Sequence, residues 1–300
     1  MDFRPVELSD YEWIYRFTSE YGEGSCQHSP VTMYSLTEKY GDEVCREDGF
    51  LYTLRSRRGD GDYRVYLAPL GAGDWRAAYE RILADAKEHG KKARFLTLTE
   101  SAAAYVAETF PDRFAIREER DLAEYFCRTA ETATFAGGAL QRRRREVNTF
   151  WNRYGHRARV TKLTPEDFPE IRVFEQRWLA LSEGDENRAA LEIEARMIEK
   201  QLAHYDALRL SGIVIRVDDR VEGFGYGVRL SDRVYDALVE KGNWDIPNIT
   251  RVLRQEATRR CAMDCEFVNM EEDLGIPGLR ALKLAYHPAY LLRKFIAEER

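Results

Sequence analysis

Three consecutive carboxylates, Glu271, Glu272 and Asp273, form the cluster in this sequence that most directly suggests chemistry. They lie in the segment NMEEDLGIPGLRALKLAYHP, residues 269–288, between a short apolar stretch and an apolar run of helical period. Carboxylates at the start of a helix interact favourably with its dipole, by about 0.3–1 kcal/mol each when exposed. Three acids at one turn therefore predict a helix cap, a catalytic cluster or a solvated surface.

A helix cap explains one of these acids and leaves two unassigned. We expect Asp273 to be the capping residue, because it is the acid nearest to the predicted helix. Glu271 and Glu272 then either pair with Arg280 and Lys283, which are one turn apart on that helix, or face a substrate cleft. The sequence leaves both possibilities open.

Motifs for covalent catalysis do not accompany the acids. The sequence lacks GxSxG and HExxH, and its Cys and His residues give only weak candidates for a dyad. The chemistry that remains is the positioning of two reactants together with proton transfer. The candidate catalytic groups, which lie near one turn, are Glu271, Asp273 and His287. The candidate substrate-binding residues of the same half are Glu240, Asn269, Glu272, Arg280, Lys283 and Tyr286.

A cationic stretch, FAGGALQRRRREVNTFWNRYGHRARV at residues 135–160, is a second candidate for binding. A glycine turn that opens a cationic helix can hold phosphate through backbone N–H groups and guanidinium groups. The same pattern also fits a solvated helix that joins two domains. Neighbouring arginines without acids between them repel one another, which slightly favours an anionic partner. The substrate-binding candidates here are Arg142, Arg143, Arg144, Arg145 and Asn148.

Motifs for common cofactors and metals are absent from the sequence. It contains neither GxxxxGK[ST] nor GxGxxG after a strand. Gly223, Gly225 and Gly227 share one face of the strand EGFGYGVRL, which opens the backbone to a ligand or, as we favour, to a packed neighbour. Cys261 and Cys265 lack a second ligand pair at zinc spacing. The sequence therefore predicts no metal and no dedicated cofactor, although coenzyme A is not excluded.

Composition limits the classes of function. The chain of 300 residues has an ordinary globular composition and a net charge of −6, which argues against a wholesale nucleic-acid coat but permits a local basic patch. No run of about 18 apolar residues is present, so we expect no membrane span. The N-terminus resembles no secretion signal, and five scattered cysteines suit a reducing compartment. These features predict a cytoplasmic protein.

The two halves of the sequence share an order of predicted elements: hairpin, tryptophan, helix, short strand, polar turn and helix. This order predicts a duplicated α+β unit, with domains at residues 1–130 and 131–300 and the active site in the second. Two unrelated mixed domains are the alternative.

The predicted elements of the first half are a hairpin within 50–67, a helix 75–86, a strand 95–98 and a helix 101–110. Those of the second half are a hairpin within 213–230, a strand 234–239, a helix 249–257 and a strand 266–270.

Three segments, NMEEDLGIPGLRALKLAYHPAYLLRKF, GGALQRRRREVNTFWNRY and GIVIRVDDRVEGFGYG, resemble the phosphatidylglycerol lysyltransferase C-terminal domain family, in its soluble stand-alone form. The resemblance covers most of the chain, and the acidic turn followed by GLRxxKLxYHP is its most specific part. It implies an α+β fold of two tandem GNAT-like acyltransferase domains, each a mixed, mostly antiparallel sheet flanked by helices, similar to Fem-type aminoacyl transferases.

The resemblance also implies a reaction, in which an activated aminoacyl group carried on tRNA passes to an amine or hydroxyl acceptor. In the membrane-bound relatives the acceptor is a phosphatidylglycerol head group, but the multi-span region of those relatives is absent from this sequence, so the acceptor stays open. The stretch KGNWDIPNITRVL, residues 241–253, lacks the glycine pair with which GNAT enzymes cradle coenzyme A, which favours an aminoacyl-tRNA donor. A coenzyme-A-dependent N-acetyltransferase and a non-catalytic binding or regulatory module are the alternatives.

Overall fold

The structure, a computed structural model, describes residues 1–181 and 188–300. The helices are α1 Tyr11–Tyr21, α2 Pro30–Ser35, α3 Thr37–Tyr40, α4 Trp75–Glu88, α5 Glu100–Thr109, α6 Thr129–Thr134, α7 Gln141–Tyr154, α8 Phe168–Leu181, α9 Arg188–Ala203, α10 Ile249–Ala257 and α11 Pro277–Leu284. The strands are β1 Arg4–Pro5, β2 Asp42–Glu47, β3 Phe50–Arg55, β4 Tyr63–Tyr66, β5 Leu70–Gly71, β6 Lys92–Leu98, β7 Phe114–Glu118, β8 Glu124–Arg128, β9 Ala158–Lys162, β10 Ser211–Val217, β11 Arg220–Arg229, β12 Val234–Gly242, β13 Phe267–Glu272, β14 Tyr290–Leu292 and β15 Phe295–Glu299.

The helices and strands predicted from periodicity are all present, with ends that differ by a few residues. Local chemistry explains where two of them start. The side chain of Asp74 accepts a hydrogen bond from the Ala77 N–H at the start of α4, and Thr99 accepts one from the Ala102 N–H at the start of α5. Such caps satisfy amide groups that lack a partner within the helix.

Two compact units divide the chain. Unit 1 contains Met1–Glu124, Glu272–Pro277 and Leu291–Arg300, whereas unit 2 contains Tyr125–Glu271 and Gly278–Tyr290. Each is built on a mixed, mostly antiparallel sheet flanked by helices, so the predicted α+β class is confirmed. Among the described residues, no helix combines the length and apolar character needed to cross a bilayer.

The sheet of unit 1 has the strand order β1-β2-β3-β4-β6-β15-β7, with β5 beside β3. Strands β4 and β6 run parallel, which is why helix α4 must cross between them, and the remaining described pairings are antiparallel. Its core is aromatic: the rings of Tyr79 and Phe95 lie 5.2 Å apart, and those of Phe95 and Phe114 lie 5.7 Å apart. The last strand of the chain contributes Ala297, which is fully buried in this core.

The sheet of unit 2 has the strand order β9-β10-β11-β12-β13-β8-β14. Strands β12 and β13 run parallel, with helix α10 as the crossover, whereas β9 to β12 are joined as antiparallel neighbours. The order matches that of the unit 1 sheet around the crossover.

Each sheet takes one strand from a distant part of the sequence. Strand β15, at the C-terminus, lies between β6 and β7 in the first sheet, and β8, at the end of the N-terminal half, lies between β13 and β14 in the second. The inserted strands occupy equivalent places in the two strand orders, so the halves exchange one strand. A domain boundary at residue 130 therefore assigns β15 to the second domain, although this strand belongs to the first sheet.

A buried ion pair in unit 1 secures the start of β15. The Lys294 ammonium lies 2.8 Å from the Glu124 carboxylate, and both side chains are fully buried. Ser25 donates its hydroxyl to Glu124 over 2.6 Å and accepts from Lys294 over 2.6 Å, and the Cys26 N–H donates to the second carboxylate oxygen. A buried pair is tolerated when its remaining lone pairs are satisfied in this way.

Replacing one partner of this pair should destabilise the protein strongly. We expect Lys294→Met to lower the free energy of unfolding by about 3–5 kcal/mol, because Glu124 stays buried without its counter-charge. Urea titration monitored by circular dichroism measures the change. The double variant Lys294→Met, Glu124→Leu should recover most of the loss, and a single variant within about 1 kcal/mol of the parent would show that the pair is not important for stability.

The strand exchange predicts how fragments behave. A fragment of residues 1–130 lacks β15, so β6 and β7 lose their common neighbour, and we expect it to be insoluble or to unfold without a cooperative transition. A matched fragment joins residues 1–124 to 291–300 through a flexible Gly-Ser linker, which is feasible because Glu118 and Phe295 face each other in register. It should unfold cooperatively in urea; equal behaviour of the two fragments would contradict the exchange.

Candidate active site

In unit 2, helix α10 packs closely on strand β11 because glycines open the surface of the sheet. A Cβ atom at Gly223 would lie 3.2 Å from the Ile249 side chain, and one at Gly225 would lie 3.2 Å from Glu240 Cγ and 3.4 Å from Leu253. Such distances leave little space for a larger side chain, so the packing interpretation of the alternating glycines is confirmed. The close approach sets α10 directly beside the end of β12, which carries Glu240.

A buried ion pair lies at this contact. Arg254, on α10, places Nη2 at 2.8 Å from the Glu240 carboxylate, and the two side chains are 8% and 17% exposed. The Arg254 Nε and Nη1 atoms are buried and have no hydrogen-bond partner in the described part of the chain. A buried guanidinium that uses only part of its donor set retains capacity for another anionic group.

Helix α7 brings a second group of charges to α10. Arg143 donates to Glu146 over 2.5 Å, and Arg251 Nε lies 3.5 Å from the same carboxylate. The contact of 3.5 Å between Arg251 and Glu146 is not a hydrogen bond, and the buried Arg251 Nε atom makes none with the described residues. Glu146 is therefore shared by arginines of two helices, Arg142 and Arg143 of α7 and Arg251 of α10.

The ring of Tyr286, which follows α11, lies between the two groups of arginines. The guanidinium carbon of Arg143 is 5.8 Å from the ring centroid and that of Arg254 is 5.9 Å away. An aromatic face attracts cations, so the ring helps to hold like charges close together. Burial raises the pKa of the Tyr286 hydroxyl to about 12, with Glu240 acting in the same direction and the arginines against it, so the phenol stays protonated at neutral pH.

Burial also raises the pKa of the Glu240 carboxyl above that of an exposed glutamate, although Arg254, Lys283 and Arg251 oppose the shift. Within the described structure, four cations, Arg143, Arg251, Arg254 and Lys283, lie around two carboxylates, Glu146 and Glu240. We call these six residues with Tyr286 the cationic cluster. Such an arrangement can bind a phosphate or carboxylate group and can exchange a proton through Glu240.

Several predicted residues lie inside this cluster and others lie outside it. Of the four consecutive arginines, Arg143 belongs to the cluster, while Arg144 donates to the carbonyl oxygens of Phe135 and Gly137 and so fixes the turn before α7. The predicted members of the cluster are Arg143, Glu240, Lys283 and Tyr286. The exposed residues of α7 among the predicted set are Arg142, Arg145 and Asn148.

The acidic turn is divided between the two units. Asn269 and Glu271 belong to unit 2, where the buried Asn269 side chain accepts a 2.8 Å hydrogen bond from the Glu271 N–H. Glu271 has a φ of +56°, a left-handed conformation that is uncommon outside glycine and that this hydrogen bond helps to hold. On the same unit, Arg280 is half-buried on α11, and His287 is exposed with a φ of +51°.

The other two acids of the turn belong to unit 1. Asp273 is fully buried; it accepts from the Gly275 N–H over 2.9 Å and from Arg120 over 3.1 Å. Glu272 accepts from the Gln27 amide over 3.0 Å. Asp273 therefore closes the turn that precedes α11. The catalytic assignment of Glu271, Asp273 and His287 stays a prediction.

Sequence reasoning did not select Glu146, Arg251 or Arg254. The available signal was the spacing of Arg251 and Arg254, three residues apart on a helix whose apolar face is already complete without them. The burial of Arg254 follows from the tight packing of α10, which no local pattern reveals. Helix α10 starts directly after Asn248, whose side chain makes no capping hydrogen bond.

Comparison with known proteins gives the family. A sequence profile described as phosphatidylglycerol lysyltransferase, C-terminal, matches residues 18–298. No sequence among the curated proteins matches the chain. A conserved protein of unknown function from Bacteroides thetaiotaomicron is structurally similar, with a TM-score of 0.94 and 27% identity over 100% of both chains.

More distant structures share the fold. L-PGS from Bacillus licheniformis gives a TM-score of 0.65 at 15% identity over 96% of this chain and 91% of its own. FemX gives a TM-score of 0.60 at 9% identity over 100% of this chain and 98% of its own. The tandem GNAT-like fold and the resemblance found in the sequence are thereby confirmed, and the chain belongs to the phosphatidylglycerol lysyltransferase C-terminal domain family.

Proposed function

We propose that this protein is an aminoacyl transferase that moves an activated aminoacyl group from aminoacyl-tRNA to an amine or hydroxyl acceptor. The observation that carries the proposal is the cationic cluster of unit 2, where the buried Nε of Arg251 and the buried Nε and Nη1 of Arg254 have no hydrogen-bond partner among the described residues and lie near the half-buried Glu240. Membership of a family described as lysyltransferases supports the same reaction class.

The donor suits the charge of the cluster. The acceptor end of a tRNA carries phosphates, and guanidinium groups bind phosphate through paired hydrogen bonds. Arg143, Arg251 and Arg254 approach from two helices, so they can hold an anionic group from two sides. Holding the donor in register converts a bimolecular reaction into an effectively unimolecular one, and this contributes much of the rate in ester aminolysis.

In this mechanism Glu240 acts as the general base and then as the general acid. The acceptor nitrogen or oxygen forms a bond to the ester carbonyl carbon while its proton passes to the Glu240 carboxylate. The bond between that carbon and the ribose oxygen then breaks, and the proton moves to the leaving ribose oxygen. A raised carboxyl pKa makes Glu240 a stronger base than an exposed glutamate, which suits it to this exchange.

Transfer can be assayed with purified protein, a panel of aminoacylated tRNAs, and candidate amine and hydroxyl acceptors. We expect acceptor-dependent release of the amino acid from tRNA, and we expect Arg254→Ala to reduce kcat/KM on the order of 100-fold, as for other preorganised donors. Arg172→Ala, which removes an exposed arginine of α8, is the matched control and should retain activity. Loss of activity in both variants would contradict a specific role for the cluster.

The same assay separates the alternatives. Transfer from acetyl-CoA without transfer from any aminoacyl-tRNA would replace the proposal with an N-acetyltransferase. Absence of both activities and of tRNA binding would favour a non-catalytic module. Glu271→Gln and His287→Asn, tested in parallel, would show whether the acidic turn or the cationic cluster carries out the chemistry.

The pKa of Glu240 sets the expected pH dependence. The carboxylate must be ionised to accept a proton, so activity should fall as the pH drops through its raised pKa, at a higher pH than an exposed glutamate would give. The dependence of kcat/KM on pH measures this acidic limb. In Glu240→Gln the remaining activity should be lower, and the decrease of kcat/KM at low pH should be absent. If the variant shows the same decrease, another group is responsible for it.

A further inference from the structure

Unit 1 contains a cavity that is separate from the cationic cluster of unit 2. Its volume is about 220 Å³, which is below the range of about 300–1,000 Å³ that holds drug-sized ligands. It is lined by Tyr21, Gly22, Glu23, His28, Ala68, Pro69, Leu70, Trp75, Tyr79, Thr99, Ser101, Ala102 and Tyr105. The size suits a small organic molecule rather than a nucleotide or a peptide.

Three aromatic rings form one wall of the cavity. The ring centroids of Trp75 and Tyr105 are 6.2 Å apart at a steep angle, and those of Tyr79 and Tyr105 are 5.7 Å apart. Trp75 is fixed from behind by Phe50, whose ring centroid lies 5.4 Å away. Such a wall attracts flat or alkyl groups by burial and attracts cations through the negative faces of the rings.

A single carboxylate, that of Glu23, lies among the lining residues, and no lysine or arginine of the described chain is among them. Its Oε1 atom accepts hydrogen bonds of 2.6 Å from the Thr99 hydroxyl and of 2.6 Å from the Ser101 hydroxyl. These two bonds fix the carboxylate, while Glu23 and Ser101 remain exposed to solvent. The outer end of the cavity is therefore negatively charged and already ordered.

The inner end carries a neutral polar group. The imidazole of His28 lines the cavity and is 3% exposed, and its Nδ1 atom has no hydrogen-bond partner in the part of the chain that the structure describes. Burial, with help from Lys294 and Arg55, lowers the pKa of His28 to about 3, so the ring is neutral at physiological pH. The Tyr79 hydroxyl, also buried, lacks a partner among the described residues as well.

We infer that this cavity is a binding site for a small organic amine, with the ammonium group at Glu23 and the apolar body against Trp75, Tyr79 and Tyr105. The fixed carboxylate and the ring faces both favour a positive charge. The cations behind His28 oppose a second positive charge at the inner end, so the ligand carries one ammonium group. A hydroxyl or carbonyl oxygen at its other end would satisfy His28 or Tyr79. The inference does not depend on the proposed transfer reaction.

Binding of matched probes to the full-length protein tests the inference. Phenethylamine, cyclohexylamine and benzyltrimethylammonium carry the required charge, whereas 2-phenylethanol and 3-phenylpropionate have similar bodies that are neutral or negative. Calorimetric titration should show binding of at least one amine and affinities at least about tenfold weaker for the alcohol and the carboxylate, equivalent to about 1.4 kcal/mol. Failure of all three cationic probes to bind, or equal affinity for phenethylamine and 2-phenylethanol, overturns the inference.

Variants assign the binding to the cavity. Glu23→Gln keeps the side-chain oxygen that accepts from Thr99 and Ser101 but removes the charge, so the preference for the amine over the alcohol should disappear. Glu108→Gln, an exposed position on α5 outside the lining, is the matched control and should keep the preference. Retention of the preference in Glu23→Gln overturns the assignment.

Two further variants separate the site from misfolding and from the transfer reaction. Ala102→Phe should fill the cavity and abolish binding of every probe without removing any aromatic contact, and near-ultraviolet circular dichroism checks that the fold is retained. Arg254→Ala, in unit 2, should leave amine binding unchanged. Unaltered binding in a folded Ala102→Phe variant, or loss of binding in an Arg254→Ala variant that the same spectrum shows to be folded, shows that the amines bind elsewhere.

Discussion

The buried pair of Lys294 and Glu124 is the interaction on which the architecture of unit 1 depends. Lys294 immediately precedes β15, the strand that completes the first sheet, and Glu124 is the first residue of β8. Removing two charges from water raises the free energy of the folded state unless each charge is paired and hydrogen-bonded. Here Ser25 and the Cys26 amide supply the additional hydrogen bonds. The ion pair therefore lies at the start of both exchanged strands, and it holds the C-terminal segment of the chain to the rest of unit 1.

Close packing governs the cationic cluster in a similar way. Gly223 and Gly225 let α10 approach the sheet, and this approach encloses Glu240 and Arg254 together. Enclosure raises the pKa of the Glu240 carboxyl, and it leaves arginine N–H groups without a hydrogen bond to any residue that the structure describes. Both properties are what a site for an anionic donor and a proton transfer needs. The close contact between Glu240 and Arg254 thus follows from two missing side chains on a neighbouring strand.

The two units use one architecture for different surfaces. In each, a helix crosses between parallel strands, α4 in unit 1 and α10 in unit 2. Helix α4 presents Trp75 and Tyr79 to an apolar cavity, whereas α10 presents Arg251 and Arg254 to a charged cluster. Equivalent crossover helices of the two units therefore carry different residue types.

The sequence by itself determined the local structure and the family. Periodicity and turn residues gave the helices and strands, because those signals depend on near neighbours, and the segment with GLRxxKLxYHP indicated the family that the comparison confirms. It also placed Arg143, Glu240, Lys283 and Tyr286 among the binding candidates.

Tertiary structure decided what depends on distant residues. Three features require partners far away in the sequence: the insertion of β15 and β8 into their sheets, the contact of Asp273 with Arg120, and the burial of Arg254 and of the Arg251 Nε atom. A charged residue on a helix looks solvated in the sequence, and only the packing of the helix against a sheet shows whether water reaches it.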